Sequence, residues 1–376
     1  MTSVWDTEEI FHDGDSLFTR LIQLLDEARE SIDFETYIFY LDHLGTKVLK
    51  ALSRASCRGV RVRLLVDGVG SYRWSHETLR AIRDRGVDAR IYHPLPWQSR
   101  HFSWLGLARF SEVGYRLFQL NRRDHRKTVV IDGKSAFVTG MNVSANHLRS
   151  VHGTRAWKDA GVFVRGENVR LFSSAFEHAW DSGSVRLLPE PLHNLSQHSP
   201  VRLNVNRDMR RRFGRNLVKR INRSRERIWI ATPYLVPTPG ILWALSQAAR
   251  RKVDVRVLTP AKNDVFFMRW AAHAFFAVLQ AAGVKVYEYL PTVLHSKVWL
   301  IDDYAIVGSS NLNSRSLFHD LEADVVLCHP TSIASFNAVF LEDLRSSVQI
   351  SAGDWARRPR IERFLEWLAL RARHWI

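Results

Sequence analysis

Apolar residues in the first quarter of the chain follow helical and strand spacings in turn. Between residues 15 and 29 they recur every three or four positions, which predicts a helix capped by Asp15. An apolar run over 31–40 predicts a strand, in which Glu35 is unusual because a buried carboxylate needs a partner. The alternation continues in helix 45–56, strand 60–66, helix 76–85 and strand 88–92. Such alternation is typical of an α/β layered sheet.

The pattern starts again after a segment rich in turn formers. Residues 189–200 contain three prolines and little periodicity, which predicts a linker. The elements predicted beyond it are helix 213–225, strand 227–234, helix 241–250, strand 253–258, helix 266–282 and strand 284–289. The expected organisation is therefore a first α/β half over 1–188, a linker over 189–200, a second half over 201–348 and a tail over 349–376.

Three stretches combine large apolar side chains with arginine or lie in very apolar surroundings. The aromatic and basic stretch 97–123 interrupts the first half, and we favour a membrane-facing or substrate-covering element over a packed connection. For the apolar stretch 266–282 a buried helix is the favoured interpretation, with lipid contact as the second. The tail over 354–376 fits an interfacial amphipathic helix and a terminal helix docked on the fold equally well.

Composition predicts a polyanionic partner. The chain carries 54 Lys and Arg against 38 Asp and Glu, a formal charge of +16, so an anionic membrane or a nucleic acid is expected. Thirteen tryptophans favour the membrane interface, although Trp180, Trp229 and Trp299 are expected in the core. The acidic opening of the chain lacks the apolar core of a secretory signal, and no uncharged run reaches the length of a membrane span. We therefore expect a soluble or peripheral protein, with Cys57 and Cys328 as buried free thiols.

One short phrase occurs twice, and it reads His-x-Lys, four further residues, Asp, a small-residue turn and Asn. The two copies consist of His125, Lys127, Asp132 and Asn142, and of His295, Lys297, Asp302 and Asn311. On a strand, residues two apart point to the same face, so the His and Lys of each copy face together. Imidazole can attack phosphorus or carry a proton near neutral pH, Lys adds positive charge, and Asn offers an amide donor to phosphoryl oxygens. A basic strand end without chemistry explains one copy about as well, but not two complete copies.

This duplicated motif resembles the signature of the phospholipase D superfamily, and the chain is most similar to bacterial cardiolipin synthases without N-terminal membrane spans. The resemblance extends from about residue 15 to about residue 344 and includes IDFETYIF from Ile32, LLVDGVGS from Leu64 and VGSSNL from Val307. It implies two phospholipase D-like α/β/α sandwich halves related by a pseudo-two-fold axis, with the active site at their interface. It also implies that an acidic residue beyond each motif hydrogen-bonds a catalytic histidine, a role that passes to Asp159 and Glu322.

The resemblance further implies a phosphatidyl transferase that makes cardiolipin and glycerol from two molecules of phosphatidylglycerol. His125 would be the nucleophile that forms a phosphohistidine, and His295 the acid and base. Such a covalent intermediate divides one difficult displacement into two easier ones. The motif lysines and asparagines would offset phosphoryl charge, whereas Asp132 and Asp302 are expected to organise the motif backbone. No cofactor is expected, and no cluster of Cys, His and carboxylates has metal-ligand spacing.

Alternatives that use the same residues stay open at this point. Water as the acceptor would make the protein a hydrolase that releases phosphatidic acid, and a nuclease of the same superfamily suits the charge equally. Two complete motifs argue against a membrane-binding scaffold with a relic site. The expected partners are phosphatidylglycerol and the membrane surface, with nucleic acid as the alternative. The expected place is the cytoplasmic face of the bacterial inner membrane.

Two positions depart from the pattern that the resemblance leads us to expect. Asn142 lies ten positions after Asp132, whereas Asn311 lies nine after Asp302. A hairpin shortened by one residue is expected to shift Asn311 relative to the phosphate. Asp320 also stands where an amide is expected.

Overall fold

The structure, a computed structural model, describes residues 4–98, 122–181, 192 and 199–371. The elements of the first half are β1 (Thr7–Phe11), α1 (Gly14–Glu27), β2 (Ser31–Thr36), α2 (His43–Cys57), β3 (Arg61–Asp67), α3 (His76–Arg83), β4 (Asp88–Tyr92), β5 (Thr128–Ile131), β6 (Ser135–Thr139), α4 (Arg149–His152), β7 (Gly161–Arg165) and α5 (Arg170–Trp180). Those that follow are β8 (Val201–Leu203), α6 (Arg207–Arg223), β9 (Arg227–Ala231), α7 (Pro239–Arg250), β10 (Asp254–Pro260), α8 (Phe266–Ala281), β11 (Lys285–Tyr289), β12 (Val298–Ile301), β13 (Tyr304–Gly308), α9 (Ser314–Phe318), β14 (Ala323–Leu327), α10 (Pro330–Arg345), β15 (Ser347–Gln349), α11 (Ala352–Ala356) and α12 (Arg360–Arg371).

The strands form two sheets that share the topology of seven strands, and the second sheet has β15 as an additional edge strand. The first sheet has the order β1-β7-β6-β5-β2-β3-β4, and the second has β8-β14-β13-β12-β9-β10-β11-β15. Strands β2, β3 and β4 pair in parallel, as do their counterparts β9, β10 and β11, whereas both motif hairpins, β5–β6 and β12–β13, are antiparallel. The predicted duplication of an α/β fold is therefore confirmed.

Three large hydrophobic cores in the described part of the chain hold the layers together. Helices α1 to α3 cover the outer face of the first sheet, and α6 to α8 cover the outer face of the second. The third core is shared: inward-facing residues such as Val130 and Val162 of the first sheet join Leu300 and Val325 of the second, with α5 and α10 at its sides. Because buried apolar side chains at near-crystalline density resist sliding, this shared core fixes the two halves against each other.

The cap predicted for the first helix was wrong. Asp13, in extended backbone conformation, is the N-cap, and its carboxylate accepts the N–H of Ser16 at 2.8 Å. Asp15 lies in the first turn, where its carboxylate accepts the backbone N–H groups of Arg149 (2.6 Å) and Ser150 (3.2 Å). The side chain two residues inside the helix thus ties α1 to α4 instead of closing the helix end.

Other boundaries moved where side chains or turns overrode the apolar pattern. Helix α6 begins at Arg207, six residues before the predicted start, because Asn206 caps it by accepting an N–H of the first turn. Strand β2 ends at Thr36, and beyond it Phe39 makes only an isolated bridge with Val143. Neither the start of α6 nor the end of β2 can be predicted from the spacing of apolar residues alone.

The expected burial of tryptophan and cysteine was partly right. Trp180, Trp229 and Trp299 are 6–7% exposed, which confirms them as core residues. Cys57, however, is exposed and Cys328 is half-buried. Cys57 is the last residue of α2 and lies away from the buried face of that helix, so the prediction of a buried thiol there was wrong.

The helix predicted over 266–282 exists as α8, but only one of its faces is buried. Met268 and Phe276 point into the core, whereas Phe266 is 80% exposed. Tail helix α12 packs against α8, with Ala369 buried in the contact. Most of 97–123 and of 189–200 lies outside the described residues. No helix among those described is long and apolar enough to cross a membrane.

Candidate active site

The backbone ahead of each motif is held by the opposite half of the chain. The N–H of His125 donates to the carbonyl of Leu321 at 3.0 Å, and the N–H of Leu321 donates to that of Arg123 at 2.9 Å. In the same way, the N–H of His295 donates to the carbonyl of Lys158 at 2.7 Å. Both contacts are parallel β-bridges. Each motif therefore starts beside a segment of the other half. The bridging residues of those segments, Leu321 and Lys158, directly precede the acidic residues Glu322 and Asp159.

The two motif histidines are paired with carboxylates in a crossed manner. His125 Nδ1 lies 3.1 Å from both oxygens of Glu322, and His295 Nδ1 lies 2.6 Å from Asp159 Oδ2. Both carboxylates are 1% exposed. A carboxylate that accepts the Nδ1 proton leaves Nε2 as the free nitrogen and stabilises the imidazolium when it forms. Each half thus supplies one histidine and the acid that orients the other.

The histidines and lysines of both motifs share one buried polar space. Burial lowers the pKa of His125 well below its ordinary value, and the charges of Lys127 and Lys297 lower it further. Burial likewise lowers the pKa of His295, with Lys297, Lys127 and the neighbouring His125 acting in the same direction. Both imidazoles are therefore neutral near pH 7, the form required of a nucleophile.

The motif lysines line the same space. Lys127 Nζ donates to the carbonyl of His125 at 2.7 Å and lies 5.5 Å from the ring centre of Tyr37. Lys297 Nζ lies 3.0 Å from His295 Nδ1. Burial, followed by repulsion from Lys297, lowers the pKa of Lys127 to about 7. Two crowded cations in a dry space favour an anionic ligand between them.

The one-residue difference between the motif hairpins disappears before it reaches the asparagines. The first hairpin pairs Thr128 with Val138, and the second pairs Val298 with Val307. In each, the asparagine follows four residues after the second partner. The missing residue is taken up at the hairpin tip, so the expected shift of Asn311 does not occur.

Asn142 and Asn311 occupy equivalent positions with different side-chain contacts. Asn142 Oδ1 accepts the N–H of Ile38 at 3.2 Å. Asn311 Oδ1 is buried and has no hydrogen-bond partner among the described residues. The backbone N–H of Asn142 donates to His147 Nε2 (3.3 Å), and that of Asn311 donates to Ser316 Oγ (3.1 Å).

His147 and Ser316 were missed by the sequence analysis. Ser316 Oγ and Ser309 Oγ each donate to Glu322 at 2.5 Å, so hydroxyl groups position that carboxylate. Burial lowers the pKa of His147 to about 3, which keeps it neutral near Asp159. Both residues lie five positions after a motif asparagine, and superposing the two motif copies on that asparagine is the signal that could have found them.

The surroundings explain why one half uses aspartate and the other glutamate. A Cβ at Gly140 would lie 2.3 Å from Asp159 Oδ1, so only glycine fits there. The equivalent position in the second half is Ser309, beside the longer Glu322. The shorter Asp159 lies near the larger His147, whereas the longer Glu322 lies beside the small side chains of Ser309 and Ser316.

Asp320 is a further buried acid at the site. It accepts the N–H of Arg123 at 3.2 Å and the Nε–H of Arg315 at 2.9 Å. Burial raises the pKa of Asp320 to about 7, and Arg315 opposes that shift. Tyr37 stands edge-on to His125 with ring centres 4.9 Å apart. An acid at position 320 is thus balanced by an arginine on α9.

Asp132 and Asp302 lie at the hairpin tips, at the far ends of the strands that follow the motif histidines. The carboxylate of Asp132 accepts the N–H groups of Arg29, Glu30 and Ser31 at 2.8–3.2 Å. Asp302 makes the equivalent bonds to the N–H groups of residues 225–227 at 3.0–3.1 Å. These contacts are with backbone, and the structure brings neither carboxylate to the histidines.

Glu35 has its partners in the core. It accepts the hydroxyl of Thr128 and forms an ion pair with Arg126 at 3.0 Å. Arg126 also pairs with Asp124 at 3.0 Å and is fully buried. Arg126 stands between His125 and Lys127 in sequence and therefore points away from the site, where it anchors the motif strand from behind.

Among the described residues, one group of side chains has the donor types and spacing to hold a metal ion. The ligating atoms of His147, Asp159 and His295 lie within 4.8 Å of one another. Two imidazoles and a carboxylate suit Zn²⁺ by donor type. Lys297 Nζ, however, lies 3.0 Å from His295 Nδ1, and its positive charge opposes a cation there. The residues fit a hydrogen-bonded acid–histidine pair better than a metal centre.

Two sheets of equal topology with a crossed pair of His-x-Lys motifs between them define a phospholipase D-like protein. A family model described as "Cardiolipin synthase, PLD-like domain" matches residues 21–180 and 217–344. The chain is 32% identical over 368 residues to a cardiolipin synthase of Geobacillus sp. (strain WCH70), covering 95% of this chain and 70% of that one. It therefore belongs to the cardiolipin synthase family of phospholipase D-like enzymes, as the sequence predicted.

A second relative agrees with that family, and a solved structure shares the fold. Cardiolipin synthase 2 of Bacillus cereus (strain ATCC 14579) is 33% identical over 359 residues, covering 93% of this chain and 66% of that one. The crystal structure of phosphatidylserine synthase of Haemophilus influenzae Rd KW20 superposes with a TM-score of 0.70 at 11% identity, covering 97% of this chain and 92% of that one. At this identity the second likeness concerns the fold.

Proposed function

We propose that this chain is a phosphatidyltransferase that converts two molecules of phosphatidylglycerol into cardiolipin and glycerol through a phosphohistidine. The observation that carries the proposal is the crossed pairing of His125 with Glu322 and of His295 with Asp159. Membership of the cardiolipin synthase family supports the choice of lipid substrates.

In the first half-reaction, Nε2 of His125 attacks the phosphodiester phosphorus of one phosphatidylglycerol. The bond from phosphorus to the glycerol headgroup breaks, and the departing oxygen takes a proton from His295. We assign the nucleophile to His125 because its side chain is 12% exposed against 5% for His295. Glu322 stabilises the positive charge that develops on the attacking ring.

In the second half-reaction, the now neutral His295 removes a proton from a headgroup hydroxyl of another phosphatidylglycerol. The resulting oxygen attacks phosphorus, the N–P bond breaks, and cardiolipin leaves with His125 restored. Asp159 stabilises the imidazolium of His295 in each half-reaction.

The bound phosphodiester adds a negative charge that allows His295 to become protonated. Burial and the two motif lysines hold the pKa of His295 well below its ordinary value. A phosphodiester anion between Lys127 and Lys297 offsets their repulsion, so the pKa of His295 rises on binding and the ring becomes competent as an acid. The same lysines stabilise the negative charge that develops on the phosphoryl oxygens.

The proposed membrane contact is an apolar patch on α8 and α12, defined here by Phe266, Phe267, Phe364, Trp367 and Leu368. These five side chains are 45–80% exposed although they are large and apolar. Such a patch beside arginine-rich segments fits the headgroup boundary of an anionic bilayer. On this basis we propose that the protein associates peripherally with a membrane, and its place on the cytoplasmic face of the inner membrane stays a prediction.

The function is tested by incubating the protein with phosphatidylglycerol vesicles and, separately, with DNA. Cardiolipin is expected from the wild type and should be absent with His125→Ala. Phosphatidic acid as the main product would replace transfer with hydrolysis. DNA cleavage without any lipid product would overturn the proposal.

The apolar patch is tested by vesicle flotation of a Phe364→Asp, Trp367→Asp double variant. Loss of two exposed aromatics that would insert into the bilayer should weaken vesicle binding at least about ten-fold. The matched control is Val151→Asp, Leu341→Asp, which changes two exposed apolar residues elsewhere. Equal binding of the patch variant and the wild type would reject the patch as the membrane contact.

A further inference from the structure

A basic cleft opens between α6, the start of α7 and α9, and it contains neither motif histidine. Its volume is about 630 Å³. Four cations line it, Arg210, Arg211, Arg215 and Lys219, together with apolar atoms of Leu317 and Phe318, and no acid is among the described residues of its wall. A cavity with this lining attracts an anion.

Arg210 is a buried cation in the wall of this cleft, and one of its donors is unused. It is 5% exposed, and its Nη1 donates to the carbonyl of Phe318 at 3.2 Å. Its Nε is buried and has no hydrogen-bond partner among the described residues. Burial of a guanidinium with an unmade hydrogen bond is costly, so an acceptor supplied by a ligand would be bound favourably.

The remaining cations are arranged on one helix face. Arg211, Arg215 and Lys219 follow each other at intervals of four residues, which places them in one row along α6. All three are exposed. Phe318 is 50% exposed at the cleft and offers an apolar surface next to the charges. Positive charge beside an exposed aromatic matches a phosphate attached to an acyl chain.

We propose that this cleft binds the phosphate headgroup of an anionic phospholipid at a site separate from the catalytic histidines. The neighbouring segment supports a lipid occupant. Thr238 lines the cleft, and two residues earlier Val236 packs with Met268 of α8 and Ala369 of α12. One short stretch of chain thus runs from the cleft to the two helices that carry the apolar patch.

The cleft is also connected to the reacting groups through α9. Arg210 holds the carbonyl of Phe318, and Asn204 Nδ2 donates to the carbonyl of Ser316 at 2.8 Å. Ser316 Oγ donates to Glu322, which orients His125. A phosphate on Arg210 would therefore order the helix that positions this carboxylate, and we expect the occupied cleft to raise the rate of phosphatidyl transfer.

Binding is measured with the full chain and phosphatidylcholine vesicles that contain phosphatidic acid but no phosphatidylglycerol. Each basic side chain at an anionic surface contributes about five-fold in affinity, so Arg211→Ala, Arg215→Ala should bind roughly 30-fold more weakly. The matched control is Lys47→Ala, Lys50→Ala on α2, which removes the same charge from another exposed helix and should change binding less than about two-fold. Thermal unfolding verifies that each variant folds.

The outcomes separate this proposal from its competitors. Equal losses of vesicle affinity in the cleft variant and the control would show that only general positive charge matters, which would overturn the proposal. Inorganic phosphate that binds at the cleft while phosphatidic acid vesicles do not would assign a free-anion site and overturn it. Loss of DNA binding without loss of vesicle binding in the cleft variant would also overturn the proposal. Because His125→Ala should still bind these vesicles, the result stands independently of the proposed reaction.

Discussion

Replacing Glu322 by glutamine tests the crossed histidine–carboxylate pairing directly. The substitution keeps the size and most of the shape of the side chain but removes its charge. In the native protein the carboxylate accepts two serine hydroxyls and lies 3.1 Å from His125 Nδ1. Glutamine can still meet Ser309 and Ser316, so the fold is expected to persist while the electrostatic support of the imidazole is lost.

The magnitude follows from the geometry. Opposite unit charges about 4 Å apart, at an effective dielectric constant of about 20, attract by about 4 kcal/mol. This attraction arises only when His125 becomes positive on forming its bond to phosphorus, so its loss appears in the rate. A barrier raised by about 4 kcal/mol slows the first half-reaction roughly a thousand-fold. The KM for phosphatidylglycerol should change little, since neutral His125 binds the substrate in both proteins.

The assay is rapid-quench measurement of glycerol release in a single turnover. The matched control is Asp33→Asn, which likewise neutralises a buried acid. Asp33 is paired with Arg63 and lies opposite Val130, five residues beyond His125 in the motif strand. The control should retain near-normal turnover if it folds. A loss of less than about ten-fold in Glu322→Gln would refute the electrostatic reasoning.

Proton NMR of the imidazoles tests the crossing itself. A proton on Nδ1 that is hydrogen-bonded to a carboxylate resonates far downfield. Glu322→Gln should remove this signal from His125 and leave that of His295, and Asp159→Asn should do the reverse. The opposite pattern would show that each acid serves the histidine of its own half.

Three further predictions follow from the same contacts. Asp132→Ala should lower the unfolding free energy by about 1–2 kcal/mol, because three backbone N–H groups lose their acceptor. Burial raises the pKa of Asp132, but the three backbone hydrogen bonds outweigh it and hold this pKa below its ordinary value. The stabilisation is therefore present above about pH 4, and the difference between wild type and variant in urea titrations should vanish at lower pH. Arg126→Met should cost about 3–5 kcal/mol in the same titrations, since it strands two buried carboxylates. The pH profile of kcat/KM should be a bell near pH 7, because burial raises the pKa of Glu322 to about 7 and lowers that of Lys127 to about 7, and Glu322→Gln should abolish the acid limb.

Much of the architecture was open to prediction because it rests on local periodicity. The alternation of helix and strand spacings identified the α/β halves, and β4 was placed at its observed bounds. The duplicated motif identified the histidines and lysines that share the buried polar space, whereas its aspartates lie at the hairpin tips. Asp15 illustrates the limit: an acid near a helix start is a cap only if its own backbone is extended, and here Asp13 has that conformation.

The crossing could not be predicted because it depends on contacts between distant segments. An acid beyond each motif was expected, yet nothing in the order of residues says whether Asp159 serves His125 or His295. The bridge between Lys158 and Leu294 decides it, by bringing the second motif alongside the first half. The strand pairing likewise keeps Asn311 in the position equivalent to Asn142, because the second hairpin is one residue shorter only at its tip.

The measurement that tests the central claim most directly is the stoichiometry and position of the covalent phosphate. Wild-type protein is mixed with phosphatidylglycerol labelled in its phosphate, quenched within one turnover and digested for peptide mapping. If the two halves form a single site, no more than one phosphate per chain should be found, and it should lie on the peptide that contains His125. Two phosphates per chain, one on each motif histidine, would contradict a single shared site.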